Sequence, residues 1–220
     1  MRAKTTRSPR AAGSRRPSRA VVDPVDRNTD MPPRLRAGLV RLTVCGLDEL
    51  HGPREPAVTH VLSILDPGHP DPTAFGTWRQ HHRLTLRFHD VIADYPGYEA
   101  PRPEHIVALL QFGDELHAAG DSLEHLLIHC HAGVSRSTAA LAILLAREHP
   151  DDDAAAFERL LAIRPQAWPN SRMIRFADDL LGRRGRLRAA LAEFYRLQAR
   201  TRPDLVAMIE RVGRGAEIPR

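Results

Sequence analysis

Residues 126–149 constrain this chain more than any other stretch. Leu126-Leu127-Ile128 is a short apolar run with no polar interruption, the pattern of a strand buried on both faces. From Arg136 to His149 the chain is rich in Ala, Leu and Ile, with no breaker before Pro150, which is the pattern of a buried helix. Between them lies the loop His129-Cys130-His131-Ala132-Gly133-Val134-Ser135. A strand feeding a helix in this way points to an α/β fold, with Cys130 at the carboxyl end of the strand and just ahead of a helix N-terminus. Ligands collect at that edge of open α/β sheets. The N–H groups and dipole of the helix start favour anions there.

Each residue type in the loop has a chemical reason to be present. A helix N-terminus and a nearby cation lower the pKa of a thiol, so Cys130 is a candidate thiolate nucleophile. Residues His131, Ala132, Gly133, Val134, Ser135 and Arg136 include no proline, and each can offer a backbone N–H to phosphate oxygens as an anion nest. Gly133 permits the positive φ that a tight cradle needs. The Arg136 guanidinium is a planar, permanently charged fork that grips two phosphate oxygens at once. The Ser137 hydroxyl is placed to hydrogen-bond the sulfur, and His129 to fix the loop through neighbouring backbone. Taken singly, a buried cysteine is an ordinary small apolar residue. It is the agreement of strand, Gly, Arg, Ser and helix that gives this one a function.

His129-Cys130-x-x-Gly133-x-x-Arg136-Ser137 resembles the signature of the cysteine-dependent protein tyrosine phosphatases in its dual-specificity form. Two further blocks are similar to that family. Arg164-Pro165, then Pro169-Asn170, then Ala177 to Leu181, resembles the segment that follows the signature by one helix. Thr59-His60-Val61-Leu62-Ser63-Ile64-Leu65 resembles a Thr-His-Val-Leu-Asn strand. The likeness runs from about Val40 to Gly182. It implies a central, mostly parallel sheet flanked by helices, a phosphocysteine intermediate, no cofactor and no metal. It also implies a supporting place for Asn170.

The rest of the chain agrees with an α/β sheet. Leu39 to Leu47 alternates as a strand, Val58 to Leu65 is a more continuously apolar strand, and Leu84 to His89 alternates as a third. Glu104 to Ala118, Ala154 to Ile163, Ser171 to Leu181, Leu187 to Ala199 and Leu205 to Val212 have helical patterns, while 66–78 and 91–103 are Pro-rich loops. Strands alternate with helices early and helices accumulate late. We therefore expect a basic tail over 1–36, a phosphatase domain over 37–184 and a helical extension over 185–220.

Charge belongs to the tail. Of 32 Lys/Arg and 27 Asp/Glu, residues 1–36 hold ten and three, a net of +7, which leaves the remainder at −2. A Ser/Pro/Arg-rich segment cannot form a core and is expected to be disordered. A nucleic-acid partner is not expected beyond that tail. Arg15-Arg16 is followed by no apolar segment, and no run reaches the ~18 apolar residues of a membrane span, so a cytoplasmic protein with no membrane partner is expected. Lys4 is the only lysine, which points to a GC-rich bacterial genome. The two cysteines, Cys45 and Cys130, provide neither a disulfide framework nor a zinc site.

Ester cleavage also needs a proton for the departing oxygen, and a carboxylic acid beside the cradle would supply it. Asp90 and Asp94 are the candidates. Asp90 directly follows the 84–89 strand, where the family's acid also stands, and Asp94 lies further along a loop that could close as a lid. The expected activity is a protein phosphatase acting on phosphotyrosine, and on phosphoserine and phosphothreonine where a shallow cleft admits them, with Cys130, Arg136 and Asp90 as catalytic residues. The alternatives are a phosphatase of phosphoinositides, nucleotides or RNA ends, and a phosphate-binding module without turnover. The absence of lysines in the loop weighs against inositol lipids.

Overall fold

The computed structural model describes residues 35, 40–51 and 58–220. Apart from Leu35, the tail expected over 1–36 lies outside the described residues. Four strands are present among them: β1 (Arg41–Cys45), β2 (His60–Leu65), β3 (His82–Arg87) and β4 (His125–His129). They form one sheet in the order β1-β4-β2-β3, and every neighbouring pair is parallel. Parallel pairing requires a crossover between strands. Here α1 (Pro103–Ala118) carries the chain from β3 to β4.

After β4 the chain is helical: α2 (Arg136–Glu148), α3 (Asp153–Ile163), α4 (Ser171–Leu180), α5 (Arg186–Thr201) and α6 (Pro203–Arg211). Four of the helix starts have a local cause. Asp152 and Asn170 cap α3 and α4 by accepting hydrogen bonds from the N–H groups of Ala155 and Met173. Pro103 and Pro203 open α1 and α6, where a missing N–H costs nothing. Of the strand expected over 39–47, Leu39 lies outside the described residues, β1 takes Arg41–Cys45, and Asp48–His51 forms a short 3-10 turn.

The period-2 alternation of the central strands divides the interior. Leu62 and Ile64 of β2 and Leu126 and Ile128 of β4 face a large core to which all six helices contribute. Val61 and Leu127 face a smaller cluster with Cys45, Leu50, Ala74 and Phe75, drawn from β1, turns and loops. α2 lies at the centre of the larger core, buried without interruption from Arg136 to Ala146. Leu187, Leu191, Phe194 and Tyr195 of α5 and Leu205 and Ile209 of α6 belong to that same core. The segment expected as an extension over 185–220 therefore packs as part of one interior.

Because all strands run the same way, their carboxyl ends share one edge. Cys45, Ser63 and His129 lie in register there, and Leu65 pairs with Arg87 two residues further on. The residues that follow these strand ends, Gly46, Asp66, Phe88 to Asp90 and Cys130, are thereby brought together.

Candidate active site

The loop from Cys130 to Ser135 is shaped by what its carbonyls do. The His131 carbonyl accepts from the Leu47 N–H at 2.9 Å and the Val134 carbonyl from the Trp168 N–H at 2.8 Å. The Gly133 carbonyl accepts from Arg164 Nε at 2.9 Å, and the Ala132 carbonyl from Arg164 Nη2 at 3.4 Å. Four successive carbonyls are held by the scaffold. Since the N–H of a planar trans peptide points opposite its C=O, the N–H groups of residues 132–135 are turned the other way, as an anion nest requires. Gly133 adopts φ +67°, and a Cβ there would lie 2.5 Å from the Cys45 carbonyl carbon and 2.6 Å from Gly46 N. Glycine is needed on both counts, conformation and space.

Arg164 is itself fixed by paired hydrogen bonds to Glu49, both 2.9 Å. Burial alone would push the Glu49 carboxyl up. The Arg164 guanidinium and the Gly46 N–H outweigh that and hold it below the usual carboxylate range. The sequence reading placed Arg164 only in a supporting block. Its part in orienting the loop carbonyls was not anticipated.

Cys130 is buried at the carboxyl end of β4, and its Sγ lies 3.1 Å from Ser137 Oγ. His129, just before it, shares a 2.7 Å hydrogen bond with Ser63 Oγ of β2. Burial pushes the His129 pKa down to about 4, so the ring is neutral at neutral pH. Cys45 is also a free thiol, and burial first, with Glu49 adding, pushes its pKa up to about 12. At neutral pH Cys45 is an unreactive thiol.

Arg136 begins α2 with its side chain inside the protein. Nη1 donates to Asp66 Oδ1 at 2.5 Å and to the Phe88 carbonyl at 2.6 Å, joining the ends of β2 and β3 to the loop. Its buried Nε has no hydrogen-bond partner among the described residues. Asp66 also donates its backbone N–H to His131 Nε2 at 3.2 Å, so that nitrogen carries no proton. Burial holds the His131 pKa below its ordinary value, Asp66 opposing and Arg136 adding to the effect.

The two candidate acids have different surroundings. The Asp90 carboxylate accepts from Ser135 Oγ at 2.6 Å and from Asn170 Nδ2 at 2.9 Å, with Arg214 Nη1 at 3.4 Å. Asp94 is 84 % exposed and pairs with Arg172 of α4 at 2.8 Å. Asp90 is thus brought to the loop, and Asp94 is turned towards α4. Asn170 does two things: its Oδ1 caps α4, and its Nδ2 holds both Asp90 and the Val91 carbonyl. Burial pushes the Asp90 carboxyl up, but Arg214 and Arg136, with the Ser135 and Asn170 hydrogen bonds, hold it below the usual carboxylate range. Arg214 was not among the candidate residues. It is one basic residue among 32 and lies 79 positions from Ser135, so no local pattern marks it.

Among the described residues no group of His, Cys, Asp and Glu is arranged to hold a metal ion, and no helix is long and apolar enough to cross a membrane.

No protein-family model matches the chain. It is 26% identical over 161 residues to dual specificity protein phosphatase 1 of Arabidopsis thaliana, an alignment that covers 70% of this chain and 71% of the relative. Among solved structures, it is similar to the human tyrosine phosphatase-like serine/threonine/tyrosine-interacting protein, with a TM-score of 0.50 and 16% identity over 65% of this chain and 92% of that one. Human DUSP28 aligns with a TM-score of 0.47 and 22% identity over 66% of this chain and 99% of that one. In its loop motif, its fold and this likeness in sequence, the chain is similar to the dual-specificity form of the cysteine-dependent protein tyrosine phosphatases.

Proposed function

We propose that the protein is a phosphomonoesterase of phosphorylated proteins, acting on phosphotyrosine and on phosphoserine or phosphothreonine where the cleft admits them. The Cys130 thiolate attacks phosphorus and forms a sulfur–phosphorus bond as the phosphorus–oxygen ester bond breaks. Asp90 gives its proton to the departing oxygen. Water then attacks the phosphocysteine, Asp90 takes a proton from it, and inorganic phosphate leaves with the thiolate restored. The loop N–H groups and Arg136 stabilise the equatorial oxygens in both transition states.

The observation that carries this reading is the loop itself: four carbonyls held by the scaffold beside a buried cysteine. The buried, unpartnered Nε of Arg136 supports it, because a phosphate oxygen would give that donor a partner. Phosphotyrosine is favoured because its phenolate is the easiest leaving group among the three. Tyr95 and Tyr98 add an exposed aromatic rim on the loop that follows Asp90. A thiolate nucleophile and two free cysteines suit a reducing compartment, so we place the protein in the cytoplasm.

A panel of phosphopeptides, phosphoinositides and nucleotides assayed in excess chelator tests the assignment. Phosphotyrosine peptides are expected to give the highest kcat/KM, unchanged by chelator. Preference for an inositol lipid or a nucleotide by tenfold or more would overturn the protein-substrate reading.

A further inference from the structure

The last residues of the chain return to the site. α6 ends in a Schellman motif: the Gly213 N–H bonds the Glu210 carbonyl and the Arg214 N–H bonds the Ile209 carbonyl, both at 3.0 Å. Gly213 takes φ +76°, which sends Arg214 back into the protein, where it is only 3% exposed. Its Nη1 hydrogen-bonds Ser135 Oγ of the loop and lies 3.4 and 3.5 Å from the two oxygens of Asp90. Its Nη2 lies 2.5 Å from Glu217 Oε2. Glu217 is anchored in turn, accepting from the Ser171 N–H at 2.8 Å and from Trp168 Nε1 at 3.1 Å. A buried Arg–Glu pair alone would have served packing. The guanidinium instead reaches past its partner to the cradle and to the carboxylate beside it.

We propose that Arg214 is a positioning residue for Asp90, fixing its carboxylate against the phosphate cradle and governing when it carries its proton. The proposal rests on the phosphatase reading given above. Asp90 is faced by Ser135 and His131 of the loop, Arg136 of α2, Asn170 ahead of α4, Tyr195 of α5, and Arg214 with Glu217 behind it. The Arg214 guanidinium against the carboxylate, with the positive charge of Arg136 adding to it, keeps Asp90 ionised at rest. A phosphate dianion bound at Arg136 offsets that positive charge, so substrate binding favours the protonated form that the first chemical step needs. Arg214 also blocks rotation of the carboxylate away from Ser135.

Three variants test this, each first checked for a wild-type-like thermal transition. Arg214→Gln removes the charge, so the Asp90 pKa rises. The basic limb of the kcat/KM profile then moves up by about one pH unit. Turnover of alkyl phosphates falls about tenfold or more, whereas activated aryl phosphates, whose leaving groups need no proton, stay within about threefold. Arg214→Lys keeps the charge and keeps the limb near wild type. Glu217→Gln removes the carboxylate that offsets Arg214 and moves the limb in the opposite direction, to lower pH. A packing defect would not produce shifts of opposite sign.

A folded Arg214→Gln enzyme whose limb and leaving-group series overlie the wild type would overturn the proposal. If Arg214→Gln does not fold, a Glu217→Gln limb that coincides with wild type does the same. Loss of the phosphatase reading looks different: no phosphate ester would be hydrolysed in a Cys130-dependent way. Even then, NMR titration of the Asp90 carboxyl in wild type and in Arg214→Lys or Arg214→Gln decides whether Arg214 sets its ionisation, and identical titration curves with Gln would contradict it.

Discussion

At the scale of single residues, the site depends on side chains that each satisfy several others. Arg136 ties two strand ends to the loop through Asp66 and the Phe88 carbonyl, and Asn170 caps a helix while holding Asp90. The assignment of Asp90 as acid has a direct test in a leaving-group series. Asp90→Asn is expected to slow alkyl phosphates about a hundredfold or more while sparing activated aryl phosphates, because only a poor leaving group needs the proton. Asp94→Asn should leave both within a few-fold, since its carboxylate is exposed and paired with Arg172. Leaving-group dependence in Asp94→Asn and none in Asp90→Asn would reverse the assignment. Cys130, Gly133 and Arg136 stand out in the sequence through their spacing, and the structure places all three between the end of β4 and the start of α2. The sequence already favours Asp90 over Asp94, and the parallel pairing of β3 with β2 and of β2 with β4 brings Asp90 to the loop. Arg214 carries no local mark in the sequence, since its contacts with Ser135 and Asp90 join residues far apart in the chain.

At the scale of elements, the strand–loop–helix unit of β4 and α2 is the part on which the rest is built. Gly133 is where its backbone is most constrained, by a positive φ and by contact with residues 45 and 46. Gly133→Ala places a Cβ against backbone that cannot yield cheaply. It is expected to cost about 1–3 kcal/mol of stability and to lower kcat/KM at least a hundredfold, read by thermal unfolding and by aryl phosphate hydrolysis. Wild-type values for both would mean that the loop does not need its observed conformation. The helices and strands were readable because apolar periodicity reports burial directly, and α2 and β4 match the pattern read from 126–149. Which face of the sheet each helix covers was not readable, because periodicity says that a face is buried and not what buries it.

At the scale of the molecule, α5 and α6 complete the interior. Trp168, fully buried, stacks on Tyr195 with ring centroids 4.6 Å apart, and the Tyr195 hydroxyl donates to the Pro169 carbonyl. A chain ending at residue 184 would expose that indole and lose the Glu217 anchor at α4. It is therefore expected to lose its cooperative thermal transition, and a truncated protein that melts as sharply as the full chain would show 185–220 to be an independent extension. Folding those helices onto the core is also what brings Arg214 to Asp90. The central claim, that this assembly serves covalent phosphate transfer to one thiol, is tested most directly by trapping the intermediate. An acid-quenched reaction with an aryl phosphate in excess chelator, followed by peptide mapping, is predicted to place phosphate on Cys130, with none in Cys130→Ser. Phosphate on another residue, or turnover in Cys130→Ser, would contradict the account.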